Sequence, residues 1–160
     1  MPALQTTLCY LEKDGCYLML HRVKKKKDVN KDKWIGVGGK LEPGEDALAC
    51  VRREVWEETG CTLGTPLYRG ILDFACPPWE PEQIHLFTCT DFTAPAALPD
   101  CPEGELRWVK KADIPALPLW RGDLIFLNLL AENAPFFRLG LTYDGDTLTR
   151  AVLNGTALQG

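Results

Sequence analysis

At 160 residues and 46% apolar, with 18 basic against 22 acidic side chains, the chain is sized for a single domain over residues 1–160 with a core of its own. A net charge of −4 excludes a general nucleic-acid-binding surface but leaves room for a small polyphosphate ligand, because local charge differs from the total. Seven cysteines without a C-x-x-C pair, two histidines (His21 and His85), no signal-peptide pattern and no bilayer-length apolar run argue against a zinc site or a membrane span and point to the reducing cytoplasm.

In chain order, residues 3–11 and 16–22 read as strands joined by a turn at Asp14-Gly15. Residues 23–33, containing KKKKDVNKDK, read as a basic, solvated loop with a mild steering field. A short extended piece, 34–39, runs into the pair Gly38-Gly39. The run 45–59 is rich in strong helix formers, and Gly60 follows as a C-cap. Glu45 and Asp46 stand in its first turn, where the helix dipole favours negative charge. Leu48, Val51 and Val55 recur at i, i+3, i+7 as a core-facing stripe. Strands follow at 66–76 and 83–92 across the Pro77-Pro78 loop, then a proline-punctuated loop at 94–102 and a strand at 105–110. A second helix spans 122–132, and 135–143 with 147–153 form a hairpin about Asp144-Gly145. Strands interleaved with two helices imply an α+β or α/β sandwich.

The chemistry lies in GKLEPGEDALACVRREVWEETGC, residues 39–61. Glu54, Glu57 and Glu58, at i, i+3 and i+4, share a neighbouring helix face and can converge on one point. Three carboxylates so close repel, and some are driven to hold protons unless a counter-charge arrives. Mg²⁺ removes that penalty, since it takes oxygen ligands from a few carboxylates, water and substrate phosphates. Arg53 supplies a fixed cation to orient a glutamate. Gly38 and Gly39 leave no side chain over the backbone, so a carbonyl there can approach a metal. A phosphate-cradling P-loop is absent: Trp34 fills the place of its first glycine and Leu41 that of its Ser/Thr.

Gly39, Glu45, Arg53, Glu54, Glu57, Glu58 and Gly60, with Val55 and Cys61 at the two apolar positions, stand at the spacings of the Nudix box, and the segment resembles that signature without a gap. The resemblance implies an α/β/α sandwich with a mixed, curved sheet between helices. It also implies cleavage, dependent on Mg²⁺ with Mn²⁺ as a substitute, of a nucleoside diphosphate linked to another group. WIGVGGKLEPGE, QIHLFTC, EGELRWV followed by DIP, and PLWRGD extend the likeness to nucleotide-sanitising enzymes of the MutT type. Those enzymes hydrolyse 8-oxo-dGTP and related oxidised purine triphosphates to monophosphate and pyrophosphate.

On that likeness Glu57 and Glu58 are metal ligands together with the Gly39 carbonyl, and Glu54 binds metal or helps activate the attacking water. Arg53 joins the catalytic set. Glu103, five residues before Trp108, resembles an additional glutamate near the metal, with Glu105 the competing choice. Arg22 resembles a phosphate-contacting residue, and Gly38 and Lys40 belong to the substrate-binding loop. Asp123 resembles an acid that reads a purine edge, as acceptor or, when protonated, as donor, with Trp120 as a stacking face. Two positions depart: Ile35 stands where a vertebrate relative has a base-pocket asparagine, and Gly122 where it has a second aspartate. The implied partner is a small-molecule nucleoside triphosphate, with no nucleic acid, membrane or obligatory protein partner. The alternatives are another Nudix substrate, such as ADP-ribose or a dinucleoside polyphosphate, and a non-catalytic nucleotide-sensing module.

Overall fold

A computed structural model describes residues 3–158. The N-terminal hairpin forms from β1 (Leu4–Lys13) and β2 (Cys16–His21), and the turn between them is built by Asp14 and Gly15, both at positive φ (52° and 74°). β3 (Trp34–Ile35) and β8 (Glu105–Lys110) flank β2. β5 (Leu67–Ala75), β6 (Glu82–Cys89), β9 (Phe137–Asp144), β10 (Thr147–Leu153) and β11 (Thr156–Ala157) complete the main sheet, ordered β11-β10-β9-β5-β6-β1-β2-β3, with β8 branching from β2. The sheet is mixed: β1 runs parallel to β6 and β5 parallel to β9, while the other pairs are antiparallel.

Alternation along β1 divides the core in two. Cys9 and Leu11 point to one face, where they meet Val51 and Val55 of α1 (Ala47–Thr59). Tyr10 points to the other, where it meets Phe126 of α2 (Asp123–Ala131) together with Leu72, Leu86 and Leu139. The result is the expected α/β/α sandwich. No helix is long and apolar enough to cross a membrane, among the described residues. All seven cysteines are free thiols and six are buried, so they act as small core residues.

Helix α1 starts two residues later than expected, because Asp46 caps it: its side chain accepts from the Ala49 N–H at 2.8 Å. Glu45 stays outside the helix and accepts from the Glu42 N–H at 3.0 Å. Gly60 ends the helix at φ 74°, as its place in the sequence implies. The buried stripe is Cys50, Val51, Val55, Glu58 and Thr59; Leu48 is 44% exposed, because in the first turns Ala47 and Cys50 face the strands instead. Short elements were not anticipated: β4 (Thr62–Leu63) paired with β7 (Phe92–Thr93), a 3-10 helix at Lys111–Ala116, and β11. β11 had a readable signal in Asn154-Gly155, whose paired positive φ values (50° and 85°) make a tight hairpin turn.

Candidate active site

A cavity of about 600 Å³ lies on the α2 face of β1, between β3, the 22–33 loop and β6. One end is charged, lined by Glu54, Glu103, Arg22 and Lys40 with the Gly38-Gly39 turn; the other is apolar, lined by Ile35, Leu72, Phe74, Ile84 and Phe126 with Asp123 among them.

The glycine pair is dictated by sterics. A Cβ on Gly38 would collide with the Thr7 carbonyl of β1, and one on Gly39 would lie 2.5 Å from the Glu54 carboxyl carbon. The Glu54 carboxylate therefore rests directly on the Gly39 backbone. The Gly39 carbonyl itself turns to β1, accepting from the Thr7 N–H at 2.8 Å and the Thr7 hydroxyl at 3.4 Å, so the structure spends it on strand pairing. Replacing Gly39 by Ala is expected to displace Glu54 and lower kcat by on the order of 10²-fold while leaving the circular dichroism spectrum unchanged. A normal rate for Gly39→Ala would show that the Glu54 position does not matter.

Arg53 is the hub of the acidic helix. It makes a two-pronged contact with Glu45 (2.8 and 2.9 Å), reaches Glu54 at 2.9 Å and Glu57 at 3.1 Å, and donates to the Lys40 carbonyl at 3.1 Å. Its hydrogen bonds hold the Glu45 carboxyl down at about 2. Glu57 is half-exposed at the margin, held by Arg53. Glu58 is its opposite. It is 8% exposed and its Oε2 is buried without a hydrogen-bond partner. Burial first, then the charges of Glu103 and Glu54, push it up to about 9. Glu54 is also raised, chiefly by burial, with Arg53 opposing.

Of the two candidate glutamates outside the helix, Glu103 lies on the cavity and Glu105 is not among its lining residues. Glu103 lines the cavity and bears electrostatically on Glu58 and Glu54, whereas Glu105 is exposed on β8 opposite His21. Arg22 does not stand free for a phosphate: it donates to Asp28 at 2.7 Å and to Glu103 at 2.8 Å and is 13% exposed.

No three His, Cys, Asp or Glu side chains among the described residues already gather in a metal-holding cluster. Arg53 draws Glu54 and Glu57 towards itself, while Arg22 and Lys25 draw Glu103. The residues nonetheless suit a hard dication. They are all oxygen donors, Glu58 has a buried oxygen with nothing to bond, and burial, then the charges of Glu103 and Glu54, raises its carboxyl, a shift that a bound divalent cation would reverse.

At the apolar end Asp123 opens α2, and burial raises its carboxyl to about 8, with Lys33 opposing, so it retains a proton near neutrality and can donate as well as accept. Gly122 has no room for the second acid: a Cβ would lie 2.6 Å from Leu141 and 2.7 Å from the Tyr143 hydroxyl, which accepts from the Gly122 N–H at 2.8 Å. Trp120 is 5% exposed, with Phe74 and Tyr143 packed on it in edge contacts and Lys33 Nζ over its ring at 4.9 Å. It lines the cavity as a side chain held in place by these neighbours. Sequence reading missed Asp28, Asn30 and Glu82, all on the cavity lining; an acid directly after four lysines was the available signal for Asp28.

The NUDIX domain family model matches residues 2–130. The oxidized purine nucleoside triphosphate hydrolase of Danio rerio is 29% identical over 113 residues, covering 70% of this chain and 71% of its own. The uncharacterized Nudix hydrolase YvcI of Bacillus subtilis (strain 168) is 28% identical over 143 residues, covering 87% and 86%. The crystal structure of a mutator MutT protein from Bacillus halodurans superposes with a TM-score of 0.81 at 28% identity, over 94% of this chain and 97% of that one. The family match takes in both cavity glycines, the whole acidic helix, Glu103 and Asp123, so the site and the fold have one origin: the chain belongs to the Nudix family.

Proposed function

We propose that the protein is a divalent-metal-dependent hydrolase that cleaves purine nucleoside triphosphates, oxidised forms such as 8-oxo-dGTP included, to the monophosphate and pyrophosphate. The observation that carries this reading is one cavity with a buried, unpartnered Glu58 oxygen beside its charged end and a buried acid, Asp123, among its apolar side chains. A phosphate tail suits the first and a nucleobase the second. The names of the Danio rerio and Mus musculus relatives, both oxidized purine nucleoside triphosphate hydrolases, support it. Such an activity would cleanse the nucleotide pool of damaged precursors.

Glu54, Glu58 and Glu103 would hold Mg²⁺, with Glu57 completing the set from the margin. When bound, the ion neutralises phosphate charge and acidifies water. The remaining work belongs to this chain's side chains. Arg53 orients Glu54 and Glu57, and its Glu45 partner fixes the guanidinium in place. Lys27 and Lys40 on the lining offer cations to phosphate oxygens. Ile35, Leu72, Phe74 and Phe126 exclude water around the base, which strengthens each polar contact Asp123 makes. Catalysis is then positioning plus charge neutralisation.

A second reading, a substrate with another group in place of the terminal phosphate, such as ADP-ribose or a dinucleoside polyphosphate, is favoured by Trp79. That ring is 45% exposed and belongs to the cavity lining, where a second aromatic or sugar group could lie on it. Product release measured across 8-oxo-dGTP, dGTP, other triphosphates, ADP-ribose and diadenosine polyphosphates separates the two. The expected result is the highest kcat/KM for oxidised purine triphosphates. Flat values over damaged and normal purines would remove the sanitising role and leave the hydrolase.

A further inference from the structure

The 22–33 loop contains a buried contact that the proposed chemistry does not use. Asp28 stands in a run of lysines, yet its side chain is 5% exposed and both its oxygens are engaged. Oδ2 accepts from Arg22 Nε at 2.7 Å, and Oδ1 accepts from the Asn30 backbone N–H at 3.0 Å. Each bond leads to one end of the cavity. Arg22 donates its NH1 to Glu103 Oε2 at 2.8 Å, and Asn30 Oδ1 accepts from Trp120 Nε1 at 2.8 Å. Four bonds thus join Glu103, Arg22, Asp28, Asn30 and Trp120 in series along one wall.

We propose that Asp28 is a positioning residue that sets both ends of the cavity, aiming Glu103 through Arg22 and fixing Trp120 through Asn30. The proposal rests on the reading of this cavity as a metal and nucleotide site. A guanidinium between two carboxylates is held in place with its charge shared; with one partner it swings fully onto that partner. Without the Asp28 charge, Arg22 would pair with Glu103 alone, and a divalent ion would have to compete for that carboxylate. On the other arm, the short turn between Asp28 and Asn30 holds the Asn30 amide where its oxygen meets the Trp120 indole, in the manner of an Asx turn. A buried carboxylate with two directed bonds is costly to keep in a loop that only steers by charge.

The test is a double-mutant cycle on Mn²⁺ binding, read by electron paramagnetic resonance without nucleotide, for wild type, Asp28→Asn, Arg22→Met and the pair. Asp28→Asn keeps the shape and the bond to Asn30 but faces Arg22 with an amide. It is expected to weaken Mn²⁺ binding about tenfold, and to have no further effect once Arg22 is Met. Equal losses in both backgrounds would mean a through-space charge effect and overturn the proposal, as would Asp28→Asn binding like wild type. A wild type that binds no Mn²⁺ removes the metal site itself and the proposal with it, a result distinct from the other two. Should Asp28→Asn not fold, Arg22→Lys, which keeps the charge but cannot bridge two carboxylates, carries the same expectation. The second arm is read from the affinities of purine and pyrimidine monophosphates without metal. Purine preference is expected to fall several-fold in Asn30→Ala and Asp28→Ala and to survive in Arg22→Met; its survival in Asp28→Ala would overturn that arm.

Discussion

Glu58→Gln is expected to lower kcat by on the order of 10²–10⁴-fold, roughly 3–5 kcal/mol of barrier, with the fold intact. The substitution keeps volume and removes one charge from a side chain that is 8% exposed and has a buried oxygen without a partner. A carboxylate so placed has no stabilising role in the bare protein, since burial and two neighbouring glutamates work against its charge. On the function proposed above, a divalent cation bound beside it would offset that cost. Glu57→Gln is expected to cost less, because Glu57 is half-exposed and already neutralised by Arg53. Turnover of both variants at saturating Mg²⁺ decides this. Equal losses would reject the ranking, and a near-normal rate for Glu58→Gln would reject its role as a ligand.

That ranking shows where sequence stopped. Helical spacing brings Glu54, Glu57 and Glu58 to neighbouring faces, but it does not say which of them the strands cover, so the three looked alike. Burial of Glu58 follows from the packing of α1 on β1, set by Val51 and Val55. Gly60 and Asp14-Gly15 were legible because each meets a local backbone demand that glycine or a short polar residue satisfies, whereas the glycine pair answers to distant Thr7 and Glu54. Arg22 read as a phosphate-contacting cation and not as a residue shared between Asp28 and Glu103, because both partners lie on loops whose course no periodicity records. The lysine-rich loop read as solvated for the same reason: composition describes its exposed side chains, while Asp28 and Asn30 face inward. Trp120 was legible as an aromatic beside an acid, but its packing against Phe74 and Tyr143 was not, since both come from distant strands.

Titration of the metal-free protein should expose the same buried acids. Glu58 is raised to about 9 and Asp123 to about 8, both chiefly by burial, against ordinary values of 4.5 and 3.8. Between its ordinary value and its raised value, each carboxyl holds a proton in the folded state that the unfolded chain has already released. The folded state therefore binds more protons, and stability falls as pH rises through that window. Glu45 has the opposite sign: lowered to about 2 by Arg53, it contributes above its ordinary value of 4.5 and is lost as pH drops towards 2. The stability maximum in EDTA is thus expected near pH 5, not at neutrality. From pH 5 to pH 8 each of the two groups costs up to about 1.4 kcal/mol per pH unit, a combined fall in Tm on the order of 10–20 °C for a chain this size. Glu58→Gln and Asp123→Asn should each flatten part of that slope. Mg²⁺ or Mn²⁺ should restore stability mostly at the alkaline end, since an ion that binds only ionised carboxylates displaces their protons and favours the folded state. Differential scanning calorimetry across pH, with EDTA and with excess divalent ion, reads all of this directly. A Tm that rises from pH 5 to pH 8 in EDTA, or a metal effect equal at both ends, would mean that the buried glutamate is not the group that the cation discharges.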